Sequence, residues 1–350
     1  MSLRIGIYAL AKNEAVNVPR WEESCREADC RIVTDTGSTD FTVAELEARG
    51  VPTRTASILP WRWDDAHNAA MQGLPDGLDV AIRLDLDEAL APGWREALEE
   101  VWRDGATRCR CRYEWAPGEV IWCDRIHARS GFRWRVATHE WLHAWDGAPQ
   151  RELDLDRLLF VQRRREGKKW SHDLSLLEVA VREDPHNARA AWYLSRELGF
   201  AGRTTEEQMA AWDRYLAMQG GNPHERAFAL RQLAKLRPAE ARRYLTLAAL
   251  ESPAEPEAYL ALAFDCQAKA DPAGALYWAG FAVQAPLQLC NHASDYPAYG
   301  ALPAEIGLQA AIQLGRAAEA LHFCRAGLAR NPEHAELLDL QADLTAQPQR

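Results

Sequence analysis

The stretch "AIRLDLDEAL", residues 81–90, decides how the first half of the chain is read. Four of its first six residues are apolar, as in a buried strand, and then Asp85, Asp87 and Glu88 arrive together. Residues two apart on extended backbone face the same side, so Asp85 and Asp87 are expected side by side at a strand tip. Two such carboxylates repel unless a cation lies between them. A hard divalent ion takes oxygen ligands and usually keeps substrate phosphates in its shell. The plainer alternative is an acidic turn that caps the helix expected in "EALAPGWREALEE".

Working outward, strand and helix signals alternate. "RIGIYAL", "CRIVTDTGS", "VPTRTASIL" and "DVAIRLDLD" read as extended. Between them "NVPRWEESCREA" carries Pro19 near its start, "FTVAELEARG" closes on Gly50, and "WDDAHNAAMQGL" has Asp64 as its N-cap. This order predicts a mostly parallel sheet with helices on both faces. From Thr107 to Phe160, short antiparallel strands rich in Trp and His complete the same domain. From about Ser171 the chain is almost purely helical. "ARAAWYLSRELGFAGRTTEEQMAAWDRYLAM" reads as helix, Gly-containing turn, helix, and "ALYWAGFAVQAP" and "ALHFCRAGLARNP" both end at a Pro. These are degenerate tetratricopeptide-like repeats, since Pro286 and Pro332 are not one repeat apart. The boundaries follow as 1–165 for an α/β domain and 166–350 for an all-α repeat domain.

Composition limits the partners. Net charge is −10, which disfavours non-specific nucleic-acid or anionic-membrane binding. The densest basic run is "RRREGKK", Arg163 to Lys169. Eight scattered Cys form no CxxC pair, so a zinc site is weakly supported. The first residues read as a strand rather than a signal peptide, and no run of about 20 apolar residues exists to span a bilayer. A cytoplasmic protein with no membrane partner is expected.

Polar loops follow the expected strands and meet at one sheet edge, where ligands of open α/β sheets sit. "ALAKNEAVNV" follows the first strand and "VTDTGSTDFT" the second. Asn13 and Glu14 can bond a ribose or base, and Asp35 can accept from a nucleobase N–H. Asp65, His67 and Asn68 are expected near a helix start, close to phosphates.

Together "KNE", "DTGSTDFT", "WDDAHNAA" and "LDLDE" resemble family 2 glycosyltransferases of the GT-A fold. More narrowly, the chain is similar to a bacterial and phage group that joins this Rossmann-like domain to C-terminal tetratricopeptide repeats and includes peptide S-glycosyltransferases. The resemblance implies a metal-dependent, inverting transfer from a UDP-sugar with Mn²⁺ or Mg²⁺. It implies that Ala9, Asn13, Glu14 and Asp35 line the uridine, that Asp85 meets ribose or metal-bound water, and that Asp87 holds the metal. The family often has Arg-Asn where this chain has His67-Asn68. "ATHEWLHAW" carries a His-Glu pair like that of the group. Glu140 is the first candidate for the base, Asp124 the alternative, and His139 a third metal ligand. His127 and His143 read as structural. Trp134, Trp141 and Trp145 stack on a ligand or fill a core.

The expected acceptor is a peptide or protein, because repeat superhelices present extended concave surfaces. The same chemistry on a hydroxylated phage-type DNA base, a glycan or a small molecule is the second reading. A DNA acceptor needs a basic groove, from Arg108, Arg110, Arg112 and Arg163 to Arg165. A third reading is a non-catalytic repeat adaptor with a vestigial nucleotide site. A homodimer through the repeats is compatible with each.

Overall fold

Strand β1 (Ile5–Ala11) is buried along its whole length, which is why its sequence is almost continuously apolar. The computed structural model describes residues 3–102, 105–145, 147–163, 173–286 and 293–346. It divides into two compact units, Met1–Pro185 and His186–Arg350. The boundary expected between 165 and 166 lies outside the described residues.

In the first unit, β1 lies between two parallel neighbours, β2 (Cys30–Asp35) and β4 (Val80–Arg83). Strand β3 (Thr53–Thr55) adds parallel to β2. The remaining strands are β5 (Glu88–Leu90), β6 (Arg108–Ala116), β7 (Glu119–Ala128) and β10 (Glu152–Gln162). The sheet order is β3-β2-β1-β4-β7-β6-β10-β5. The β4–β7, β7–β6 and β10–β5 pairs are antiparallel and β6–β10 is parallel, so the parallel strands of the first half and the antiparallel strands that follow join in one mixed sheet. A separate hairpin joins β8 (Phe132–Arg135) to β9 (Trp141–Ala144).

Alternation along β1 divides the core between two faces. Ile5, Ile7, Ala9 and Ala11 pack with α1 (Val18–Ser24), α2 (Thr42–Ala48) and α4 (Trp94–Val101) through Trp21, Leu46 and Trp94. Tyr8 and Leu10 pack with α3 (Trp63–Gln72) and the β8–β9 hairpin through Ala66, Ala70, Phe132 and Trp134. The N-cap of α3 is Arg62, not Asp64, which lies in the first turn. Helix α4 starts only at Trp94, because Glu88–Leu90 pairs as β5. Helix α5 (Leu174–Glu183) completes this unit.

The second unit is a succession of helical hairpins. They are α6 (Ala188–Phe200) with α7 (Thr205–Ala217), α8 (Pro223–Leu236) with α9 (Ala241–Glu251), and α10 (Pro256–Ala268) with α11 (Pro272–Gln284). Then α12 (Leu302–Gln313) pairs with α13 (Ala317–Arg330), and α14 (Ala335–Ala346) follows. Prolines open α8, α10, α11 and α12, where the missing N–H costs no intrahelical bond. Ala263, Ala275, Ala279 and Ala304 let helices approach closely in the shared core. An α/β unit followed by helical repeats is therefore the architecture, as the alternating and then uniformly helical sequence implied. Among the described residues no helix is long and apolar enough to cross a membrane.

Candidate active site at the strand ends

Strands β2 and β3 follow β1 to one side of the sheet, and β4 lies on the other. The carboxyl ends of β1 and β4 therefore flank a topological switch point, where a crevice opens in sheets of this kind. Two loops are laced together on the β1–β2 side. Asn13 takes left-handed backbone (φ 59°), its Oδ1 accepts from the Thr39 N–H at 2.7 Å, and its N–H donates to Ser38 Oγ at 2.9 Å. The Glu14 N–H donates to Thr42 Oγ1 at 2.8 Å, and the Ala15 N–H to Asp40 Oδ2 at 3.2 Å. Asp35 is buried and accepts from the Gly37 and Ser38 N–H groups at 3.0 and 3.1 Å, closing the turn that Gly37 permits with φ 106°. The structure thus brings Asn13, Glu14 and Asp35 together.

On the β4 side the backbone turns earlier than expected. Strand β4 ends at Arg83, and the Glu88 N–H donates to the Asp85 carbonyl at 2.9 Å, so residues 85–88 form a β-turn. Asp85 and Asp87 are therefore not paired on one strand face, which corrects the extended-backbone expectation. The Asp85 carboxylate meets Arg83 Nη2 at 3.1 Å and Arg125 Nη1 at 3.4 Å. Asp87 accepts from Gln162 Nε2 at 3.4 Å, while its carbonyl accepts from Arg20 Nη2 at 2.9 Å and from the Arg163 N–H at 2.8 Å.

Arg83 is the hub. Alternation places it on the Ala81 face of β4, toward α3 and the hairpin. Its Nη1 donates to Glu140 Oε1 at 2.5 Å, and its guanidinium lies 4.7 Å from the centre of the Trp134 ring. Arg125 donates to Glu88 and stacks 4.8 Å over Tyr113. The β6–β7 register jumps from Cys109–Ile126 to Arg110–Asp124, so Arg125 is the extra residue of a bulge. Bulges commonly re-aim a side chain in this way.

Burial and charge oppose each other in this cluster. Burial alone would raise Glu140, but Arg83 outweighs it and holds the carboxyl at about 2. Burial also works to raise Asp85, and Arg83 and Arg125 instead keep it well below the usual carboxylate range. Burial pushes Glu88 up to about 7, against Arg125 and with the help of Asp85 and Asp87. His67 is fully buried. Burial and then Arg83 lower its pKa, which keeps the ring neutral near pH 7. Its Nε2 lies 3.3 Å from Glu140 Oε1, outside good hydrogen-bond alignment.

Other expected site residues are placed elsewhere. Ala9 is fully buried in the core on the α1 and α2 face. Asp65 is 60% exposed and leans toward Arg62. Asn68 spends its amide on the Trp134 backbone, accepting at 2.8 Å and donating at 2.9 Å. Asp124 pairs with Arg108 at 3.5 Å, in a charge ladder that also holds Arg110, Glu152 and Asp154. That ladder neutralises Arg108 and Arg110, so they form no basic groove; Arg164 and Arg165 lie outside the described residues. His139 has left-handed backbone, φ 51°, beside Glu140. Among the described residues, no three His, Cys, Asp or Glu side chains converge to hold a metal ion, so Asp85, Asp87 and His139 form no ready-made triad. His127 bonds Tyr8 at 3.0 Å, and burial lowers it to about 4. The Trp134 indole donates to Tyr8 Oη at 2.7 Å, and Trp134 is a core residue.

The motifs did not single out Arg20, Arg83 and Arg125. Arg83 left one signal, a cation inside an otherwise apolar strand. Nothing local marks Arg125, whose partners lie 37 and 40 residues away.

No protein-family model matches the chain, and no curated protein matches it. Among solved structures, TarS 1–349 of S. aureus in complex with UDP-GlcNAc is 11% identical, with coverage of 78% of this chain and 89% of that one and a TM-score of 0.40. A tetratricopeptide protein of Thermus thermophilus is 17% identical over 50% of this chain and 91% of its own, with a TM-score of 0.32. MamA is 13% identical over 47% of this chain and 85% of its own, with a TM-score of 0.35. Likenesses this distant are similarities in chain path and carry no activity across.

Proposed function

We propose that the chain is an inverting glycosyltransferase that moves a sugar from a UDP-sugar to a peptide or protein side chain. One observation carries the reading: the laced 13–15 and 35–42 loops and the acidic 85–88 turn flank the same topological switch point. Ligands of open α/β sheets bind at such points; in this reading the polar loop groups take the nucleoside and the strand-end acids lie toward the diphosphate. In this reading Asn13, Glu14 and Asp35 hold the nucleoside.

The charge balance supports a divalent ion. Arg83 and Arg125 are already engaged by Asp85, Glu140 and Glu88, so neither guanidinium is free to meet a diphosphate alone. In this reading Asp87, in the same turn, shares such an ion with the phosphates, and Asp85 keeps its two guanidinium contacts. Mn²⁺ or Mg²⁺ would supply electrostatic stabilisation of the leaving diphosphate. In this reading Glu140, ionised beside Arg83, accepts a hydrogen bond from the acceptor nucleophile. At about 2, its carboxyl is a weak base, which suits an acceptor that ionises readily, such as a thiol. The helical repeats supply the surface for a peptide or protein acceptor, and the setting is cytoplasmic.

The test is calorimetric titration of UDP, UDP-glucose, UDP-GlcNAc, UDP-galactose and GDP-mannose, with and without Mn²⁺. Metal-dependent binding of one UDP-sugar, lost in Asp87→Ala, is expected. Failure of every nucleotide to bind with metal present overturns the reading.

A further inference from the structure

We infer that Asp173, 33 residues beyond Glu140 in sequence, is a positioning residue of the candidate active site; this inference rests on the transferase reading. Asp173 stands at the N-cap of α5, where an aspartate ordinarily accepts from its own helix's free N–H groups. It makes no such bond. Its Oδ2 instead accepts from Trp63 Nε1 at 3.1 Å and from Thr138 Oγ1 at 3.0 Å. One carboxylate oxygen thus ties together the first residue of α3 and the segment that leads into Glu140.

Both tied residues bear on the site. The Trp63 ring stacks on His67, with centroids 6.1 Å apart and planes 22° apart, and His67 in turn abuts Glu140. The Trp63 N–H donates to the Ala137 carbonyl at 2.9 Å, a second tie to the same segment. Thr138 is buried two residues before Glu140. The backbone between them needs holding, because Val136 and His139 take φ values of 85° and 51°, which side-chain-bearing residues rarely adopt. The far end of α5 is fastened too: Glu183 Oε1 accepts from Arg62 Nη1 at 2.5 Å. Helix α5 therefore braces the start of α3 and the 137–140 segment.

The bonds of the Asp173 carboxylate go to Trp63 and Thr138 rather than to Arg83 or Asp85, and it is remote in sequence from the nucleoside loops. Its loss should misplace Glu140 and leave the nucleoside side intact. A loosely held reacting group lowers turnover more than it lowers donor binding.

The experiment uses the full chain with Asp173→Ala and Asp173→Asn. The asparagine keeps one oxygen of the right size at the same place. In Asp173→Ala, hydrogen exchange by mass spectrometry should rise at least fivefold in a peptide covering residues 136–144 and stay unchanged in residues 11–16 and 35–42. Turnover should fall at least tenfold, with the dissociation constant of the UDP-sugar within threefold of the parent. Asp173→Asn should restore both readouts to within threefold. Unchanged exchange at 136–144 in Asp173→Ala overturns the inference, whether or not the protein proves to transfer sugar. So does a loss of donor affinity as large as the loss of turnover, which would mark a general structural role. If the parent binds no sugar nucleotide, the transferase reading fails by itself, and the exchange result still decides whether Asp173 holds the segment.

Discussion

Replacing Arg83 by methionine leaves the buried Glu140 and the part-buried Asp85 short of a partner while keeping most of the side-chain volume. Asp85 retains Arg125 at 3.4 Å, but Glu140 is left beside a neutral imidazole. Arg83 is the largest influence holding the Glu140 carboxyl at about 2 instead of the ordinary 4.5. A displacement of that size corresponds to about 3 kcal/mol. Breaking a buried pair from one side typically costs about 3–5 kcal/mol, because the remaining charge stays buried. The lost contact with Trp134 adds about 1 kcal/mol. The α/β unit of Arg83→Met should therefore be about 4–6 kcal/mol less stable near pH 7.

The cost depends on pH. In the parent the depressed Glu140 carboxyl contributes stability that is present above 4.5 and fades as pH falls toward 2. In the variant the same carboxyl is buried without a guanidinium, so its pKa rises above 4.5. It then destabilises the fold when ionised and is relieved on protonation. The gap between the two proteins should be widest near pH 7 and narrow as pH falls to about 4. Urea unfolding, followed by hydrogen exchange in β4 and β7 peptides so that the α/β unit is read by itself, measures it. A cost under about 1 kcal/mol at pH 7, or a gap that does not narrow at pH 4, refutes this account of the pair.

Three further outcomes test the packing. Trp21 is fully buried and its indole N–H donates to the Leu84 carbonyl at 2.9 Å, just before the acidic turn. Trp21→Ala should cost about 3–5 kcal/mol in urea unfolding of the α/β unit. In the repeats, a Cβ added at Gly307 would meet the Phe323 ring at 2.3 Å, so Gly307→Ala should cost about 1–3 kcal/mol, read from the thermal transition of the helical unit. Thr204 and Glu207 form a reciprocal capping box at the start of α7, and Thr204→Ala should cost about 1 kcal/mol by the same measurement.

What was legible in the sequence was what is local. Strand and helix signals marked β1, β2 and α3, because each follows from neighbouring residues. Helix, Gly-containing turn, helix marked α6 and α7 in the same way. The end of β4 was misread because "LDLD" keeps a strand-like pattern, and Leu84 and Leu86 do face the core. The turn at 85–88 instead frees Glu88 to enter β5, whose partner β10 lies about 70 residues on. Asp124 pairs with Arg108 in the charge ladder. Its neighbour Arg125 is re-aimed by a bulge, and no single-strand pattern says which of two adjacent charged residues will face a site.

The ion pairs also change what the motif residues can do. Read alone, Asp85 and Asp87 are two free ligands for a metal. In the fold Asp85 is held by Arg83 and Arg125, and Glu140 by Arg83. A carboxylate held so firmly is a poor base and a rigid acceptor. That shifts the chemical demand outward. A metal would compete with Arg83 and Arg125 for Asp85, and the acceptor would have to arrive already prone to lose its proton. Both demands can be checked separately, by the metal dependence of donor binding and by the pH at which turnover begins. A rate that rises with the acceptor's own ionisation, and shows no step near the Glu140 pKa of about 2, is the behaviour these pairings require.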